Sequence, residues 1–116
     1  MRETDISILG TTYKLKIGTR EELKDLDADC QGICNKYKKE ILITTDVDEK
    51  ENWSEEEKKV LFSNTFMHEI SHAYLIESGR TALAEDEEFV EYFSVICRKM
   101  ELTVVDTKIK LKDLFL

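Results

Sequence analysis

The stretch from Ser54 to Gly79, SEEEKKVLFSNTFMHEISHAYLIESG, predicts a single long helix that the rest of the chain must pack around. Ser54 with Glu57 three residues on forms a capping box, in which each side chain satisfies a backbone N–H of the other's turn. Glu55, Glu56 and Glu57 place negative charge at the positive end of the helix dipole. Apolar residues recur at Val60, Leu61, Phe66, Met67, Ile70, Ala73 and Tyr74, the spacing of a helix with a buried stripe. Gly79 supplies the stop, because glycine enters the left-handed conformation without steric cost.

Downstream, a second helical pattern runs from about Ala84 or Asp86 to Met100 and would bury Phe89, Val90, Phe93, Ile96, Cys97 and Met100. The tail from Glu101 to Leu116 is mixed, and Ile109 and Leu111 between lysines predict a short strand or a docked extended segment. Upstream, Ile6 to Leu9 and Thr12 to Ile17 read as strands joined by a tight hairpin at Gly10-Thr11. Thr19 to Asp29 is polar, with one helical turn around Leu23 and Leu26. Gly32 to Tyr37 and Glu40 to Thr45 read as a second strand pair, followed by a charged loop from Asp46 to Asn52. Strands first and helices after predict an α+β fold, a small twisted sheet of three or four strands on two helices, in one domain spanning residues 1–116.

Composition narrows the function classes. Hydrophobic residues make up 41% and charged residues 36% of the 116, as in a globular chain rather than a disordered or membrane-embedded one. A net charge of −8 argues against nucleic acid, since phosphate binding needs a basic footprint. The lysines at 36, 38 and 39 suit a solvated turn or a guarded strand edge. No apolar run reaches the length of a membrane span, and the first residues carry no basic-then-apolar export pattern, so the expected location is cytoplasmic. The three cysteines, Cys30, Cys34 and Cys97, are then expected as reduced, ordinary core thiols. Alternation predicts Cys30 and Cys34 on one face of a strand.

The chemistry is concentrated in His68-Glu69-Ile70-Ser71-His72. Residues four apart lie one above the other on a helix, so two imidazoles can converge on one ion, and zinc favours neutral imidazole nitrogen. The chain has two histidines, and both fall at this spacing inside the capped helix. Glu69 projects about 100° around the helix from His68, where it can take the proton of an attacking water without being a ligand. Two histidines leave a catalytic zinc short of a protein ligand. The acidic run Glu85, Asp86, Glu87, Glu88 and Glu91 offers carboxylates for that place, although helix-dipole complementation and a solvated face account for some of them.

The stretch FMHEISHAYLIESG (66–79) followed by EDEEFVEYF (85–93) resembles compact phage and mobile-element metallopeptidases of the ImmA/IrrE type, and also the very small gluzincins. The resemblance covers roughly residues 54–100. It implies a zincin-like fold, with the ligand glutamate on the next helix in an E-x-x-A/S/V-D/N/E frame. Placing Val90 and Glu91 in the last two positions puts that ligand at Glu87. Glu91 would accept a hydrogen bond from a metal-bound histidine, departing from the more usual Asn or Asp. Helix rotation agrees: Glu87 lies about 60° from Val90 on the apolar face and Glu88 about 160° away, while Asp86 suits an N-cap. The resemblance further implies an edge strand over the zinc cleft, with substrate bound as an added strand. A C-terminal segment such as Ile109 to Leu116 would cover the cleft in a latent form.

The expected activity is zinc-dependent hydrolysis of peptide bonds in a cytoplasmic protein or peptide, such as a regulator, with Glu69 as general base. Tyr74, Tyr92 and Arg80 are the candidates for stabilising the oxyanion. The alternative is a catalytically silent, zinc-stabilised protein-binding domain of phage or mobile-element origin. The two separate on turnover, since only the first needs Glu69 as a base.

Overall fold

The structure, a computed structural model, describes residues 1–112. Its elements are β1 (Arg2–Ile8), β2 (Thr11–Gly18), β3 (Gly32–Asn35), β4 (Glu40–Thr44), a 3-10 turn (Glu49–Glu51), α1 (Glu55–Glu77), α2 (Thr81–Ala84) and α3 (Glu87–Lys110). The strands form one mixed sheet in the order β1-β2-β4-β3. Both hairpins, β1–β2 and β3–β4, are antiparallel, while β2 and β4 run parallel at the centre. Among the described residues, no helix is long and apolar enough to cross a membrane. The class is α+β.

Alternation along the strands builds the core. Ile8, Tyr13, Leu15, Ile41 and Ile43 point to one face, and Phe62, Phe66, Ile70 and Ala73 of α1 pack onto them. Each such large side chain contributes on the order of 1.5–3 kcal/mol by leaving water. Leu42 points the other way and is covered by Leu23 and Leu26 from the turns between β2 and β3. A third cluster, Leu75, Ala84 and Val90, ties α1, α2 and α3 together and sets the rotation of α3.

Several expected boundaries move, for local reasons. The first hairpin turns at Leu9-Gly10 rather than Gly10-Thr11, because both residues take positive φ, 48° and 88°, as a two-residue turn of that hand requires. β3 ends at Asn35, not Tyr37, because the Asn35 side-chain oxygen accepts from the backbone N–H of Tyr37 and Lys38 and bends the chain into the lysine-bearing turn. Leu23 and Leu26 sit in turns rather than a helix.

The largest correction is at the C-terminal end. The chain from Glu101 to Lys110 continues α3 instead of forming a strand or an extended segment. It contains neither glycine nor proline, and Asp106 pairs with Lys110 one turn on, at 3.0 Å. Ile96 and Met100, expected in the core, are 38% and 62% exposed, because α3 runs on past the elements it packs against. Ile109 is 18 residues beyond Glu91, about 27 Å along the helix, so residues 109–112 do not cover the cleft. The remainder of the proposed covering segment, 113–116, lies outside the described residues.

Candidate metal centre

His68 and His72 lie one turn apart on α1, and α3 brings Glu87 and Glu91 across to them. Each imidazole is held at Nδ1. His72 Nδ1 is 2.6 Å from the Ala84 carbonyl oxygen, which can only accept, so Nδ1 carries the proton and Nε2 presents a lone pair. His68 Nδ1 is 2.8 Å from Glu91 Oε2. Carboxylates and carbonyls in these positions orient metal-binding histidines. Both Nε2 atoms then meet Glu87, at 2.9 Å from His68 and 3.2 Å from His72.

His72 thus points its Nε2 lone pair at the Glu87 carboxylate, which is unfavourable unless a positive charge, a protonated His68 or a bound cation, lies among these groups. Donor atoms around a tetrahedral zinc at about 2.0–2.1 Å stand roughly 3.3 Å apart, close to these contacts. The donor atoms of His68, His72 and Glu87 all lie within 4.8 Å of one another, so the three residues could hold a metal ion. Burial alone would make His68 less basic, but its hydrogen bonds to Glu87 and Glu91 outweigh it and shift the group upward.

Glu69 is the buried member of the group, 5% exposed. Its Oε1 stands 3.9 Å from His72 Nε2, beyond hydrogen-bond reach. Burial pushes its carboxyl up to about 7, the Glu87 charge adds to the rise, and His68 opposes it. Gly32 makes this burial possible. A Cβ there would come within 2.9 Å of Thr65 Cγ2, 3.0 Å of Glu69 Cγ and 3.2 Å of the Leu42 carbonyl oxygen. Only glycine lets α1 approach the sheet this closely.

These residues line a cleft of about 550 Å³ whose other wall is β3, the edge strand. Thr44 N donates to Gln31 O, and the pairing register continues Gly32 with Ile43 and Ile33 with Leu42. Hydrogen-bonded pairs alternate along an antiparallel ladder, so Gly32 and Cys34 turn their backbone N–H and C=O away from β4 towards the open edge.

The structure brings together His68, Glu69, His72, Glu87 and Glu91. Glu88 is exposed, Asp86 caps α3 by accepting from Phe89 N at 3.1 Å, and Glu85 binds Lys36 at 3.1 Å. Tyr74, Tyr92 and Arg80 are not among the residues lining the cleft. Cys30 and Cys34 do not share a strand face. Cys34, in β3, packs on the α1 side, whereas Cys30 precedes the strand and packs with Leu23, Leu26 and Leu42. Burial pushes the Cys34 thiol up to about 12, keeping it protonated. Sequence reasoning did not find Gly32, the Ala84 carbonyl, or Asn64 and Thr65 on the cleft wall. A glycine at the head of a short apolar strand was the one available signal.

Comparison with known protein families, with curated proteins and with solved structures found no match to this chain.

Proposed function

We propose that the chain is a zinc-dependent metallopeptidase acting on a protein or peptide, held to the cleft as a strand along the open edge of β3. The observation carrying this reading is the convergence of the His68 and His72 Nε2 atoms on Glu87, with the His72 lone pair fixed by the Ala84 carbonyl. Zinc bound by these residues would supply the Lewis acidity that makes water a nucleophile near neutral pH. Glu69 would be the group that accepts a proton from the attacking water and returns it to the departing amine. Its burial supports this role, since a carboxyl raised to about 7 exchanges protons readily at neutral pH. Glu91 holds the His68 ring in position.

A second reading, a zinc-stabilised binding domain without turnover, is favoured by one observation. Among the described residues around His68 and Glu69 the cleft presents no Tyr, Arg or Lys to stabilise an oxyanion, and Lys36 and Tyr37 lie only in the adjoining groove beyond His72 and Glu87. Metal analysis of zinc-loaded protein tests both readings, which expect one equivalent per chain. Chelation should then lower Tm, because a ligand that binds only the folded state stabilises it. Less than about a tenth of an equivalent removes both. Time-dependent cleavage of an unfolded protein by the zinc-loaded chain, abolished by chelation, separates the first reading from the second.

A further inference from the structure

We propose that the C-terminal half of α3 is a self-association surface, pairing antiparallel with the same segment of a second copy of this chain. Leu102, Val105 and Ile109 recur at the three- and four-residue steps of a coiled-coil seam and lie within about 60° of one another around the helix. They are 61%, 49% and 67% exposed. A contiguous apolar stripe of this kind is uncommon on a surface that faces only water.

Charge selects the occupant and its direction. Lys99 and Asp106 flank the stripe on one side, Glu101 and Lys108 on the other. In an antiparallel pair, flanking positions of the same kind meet across the interface. Laying Leu102 against Val105 of the second copy brings Lys99 opposite Asp106 and Glu101 opposite Lys108. The two-fold axis repeats both contacts, making two opposite-charge pairs on each side of the seam. A parallel pairing would set Glu101 against Asp106, like against like. Asp106 also holds Lys110 of its own helix at 3.0 Å, from a position still open to the second copy.

The surface is separate from the cleft. Leu102 lies 11 residues past Glu91, about 16 Å along the helix, so pairing leaves β3 and the histidines accessible.

Sedimentation of the full chain over a range of concentrations tests the proposal. The wild type should pass from 13.6 kDa to twice that mass as concentration rises. Leu102→Glu should stay at the single mass with unchanged helical circular dichroism, since position 102 is 61% exposed. Lys99→Glu should raise the dissociation constant by about tenfold, and the double variant Lys99→Glu/Asp106→Lys should restore it, because the swap rebuilds both Lys99–Asp106 contacts of the antiparallel pair with their charges exchanged. A wild type that stays monomeric at millimolar concentration overturns the proposal, as does a dimer that Leu102→Glu leaves intact. Failure of the double variant to restore pairing overturns the antiparallel arrangement.

Discussion

Two glutamates on α1, eight residues apart, have opposite chemistry. Glu77, at the C-terminal end, accepts from Thr11 Oγ1 at 2.7 Å, Tyr13 Oη at 2.6 Å and Lys39 Nζ at 2.7 Å. The Lys39 hydrogen bond leads these in bringing its carboxyl down to about 2. Glu69, at the centre of the helix, faces the cleft wall at Gly32, and burial raises its carboxyl to about 7. A carboxylate surrounded by donors is chemically quiet and clamps α1 to the first hairpin and to the turn before β4. One buried beside imidazoles and away from donors is left free to exchange a proton. The same residue type is thus held charged at one end of the helix and has its charge disfavoured at the middle.

Substitutions at the two positions should therefore separate activity from stability. The largest effect is expected at Glu69. Glu69→Gln keeps size and polarity but cannot accept the proton, so proteolysis should fall by roughly 10²–10⁴-fold while bound zinc and Tm hold. Peptide turnover beside metal content measures it, and a fully active Gln variant would remove Glu69 as the base.

Next in size is the proposed metal set. Glu87→Ala should weaken zinc binding by more than the roughly 10–100-fold typical of losing an orienting partner. Glu88→Ala, on the exposed side of the same turn, should leave it unchanged. Titration against a competing chelator decides between them, and equal losses would break the assignment of Glu87.

The smallest effect belongs to Glu77. Glu77→Gln should cost about 1–3 kcal/mol in urea unfolding without altering zinc content, because it weakens a charge-assisted cluster. The sign with pH follows from its lowered carboxyl. The folded state holds the carboxylate where the unfolded chain would take up a proton, so this stability is present above the ordinary value near 4.5 and is lost as pH falls towards about 2. The gap between wild type and Glu77→Gln should close over that window. A constant gap would mean that Glu77 acts by packing rather than charge.

The long helix, its cap at Ser54 and its stop at Gly79 were legible because a helix is written in local spacing. Gly79 does adopt φ 82°, as its position demanded. The facing of His68 and His72, and the turn of Glu87 rather than Glu88 towards them, were legible for the same reason, since each depends on rotation about a single helix. The far end of α3 departs from expectation because Ile109 and Leu111 alternate with lysines as in a strand, while no glycine or proline from Glu101 to Lys110 stops the helix.

What spacing could not reach depends on contacts between residues distant in the chain. The parallel pairing of β2 with β4, the hydrogen bond from His72 to the Ala84 carbonyl and the close approach at Gly32 all arise when elements pack. The opposite fates of Glu69 and Glu77 belong there too, because the ionisation of a carboxyl is set by its desolvation and by the donors around it. By sequence alone they are two glutamates on one helix. Tertiary packing surrounds Glu77 with the partners that hold its charge and gives Glu69 the burial that makes its charge costly.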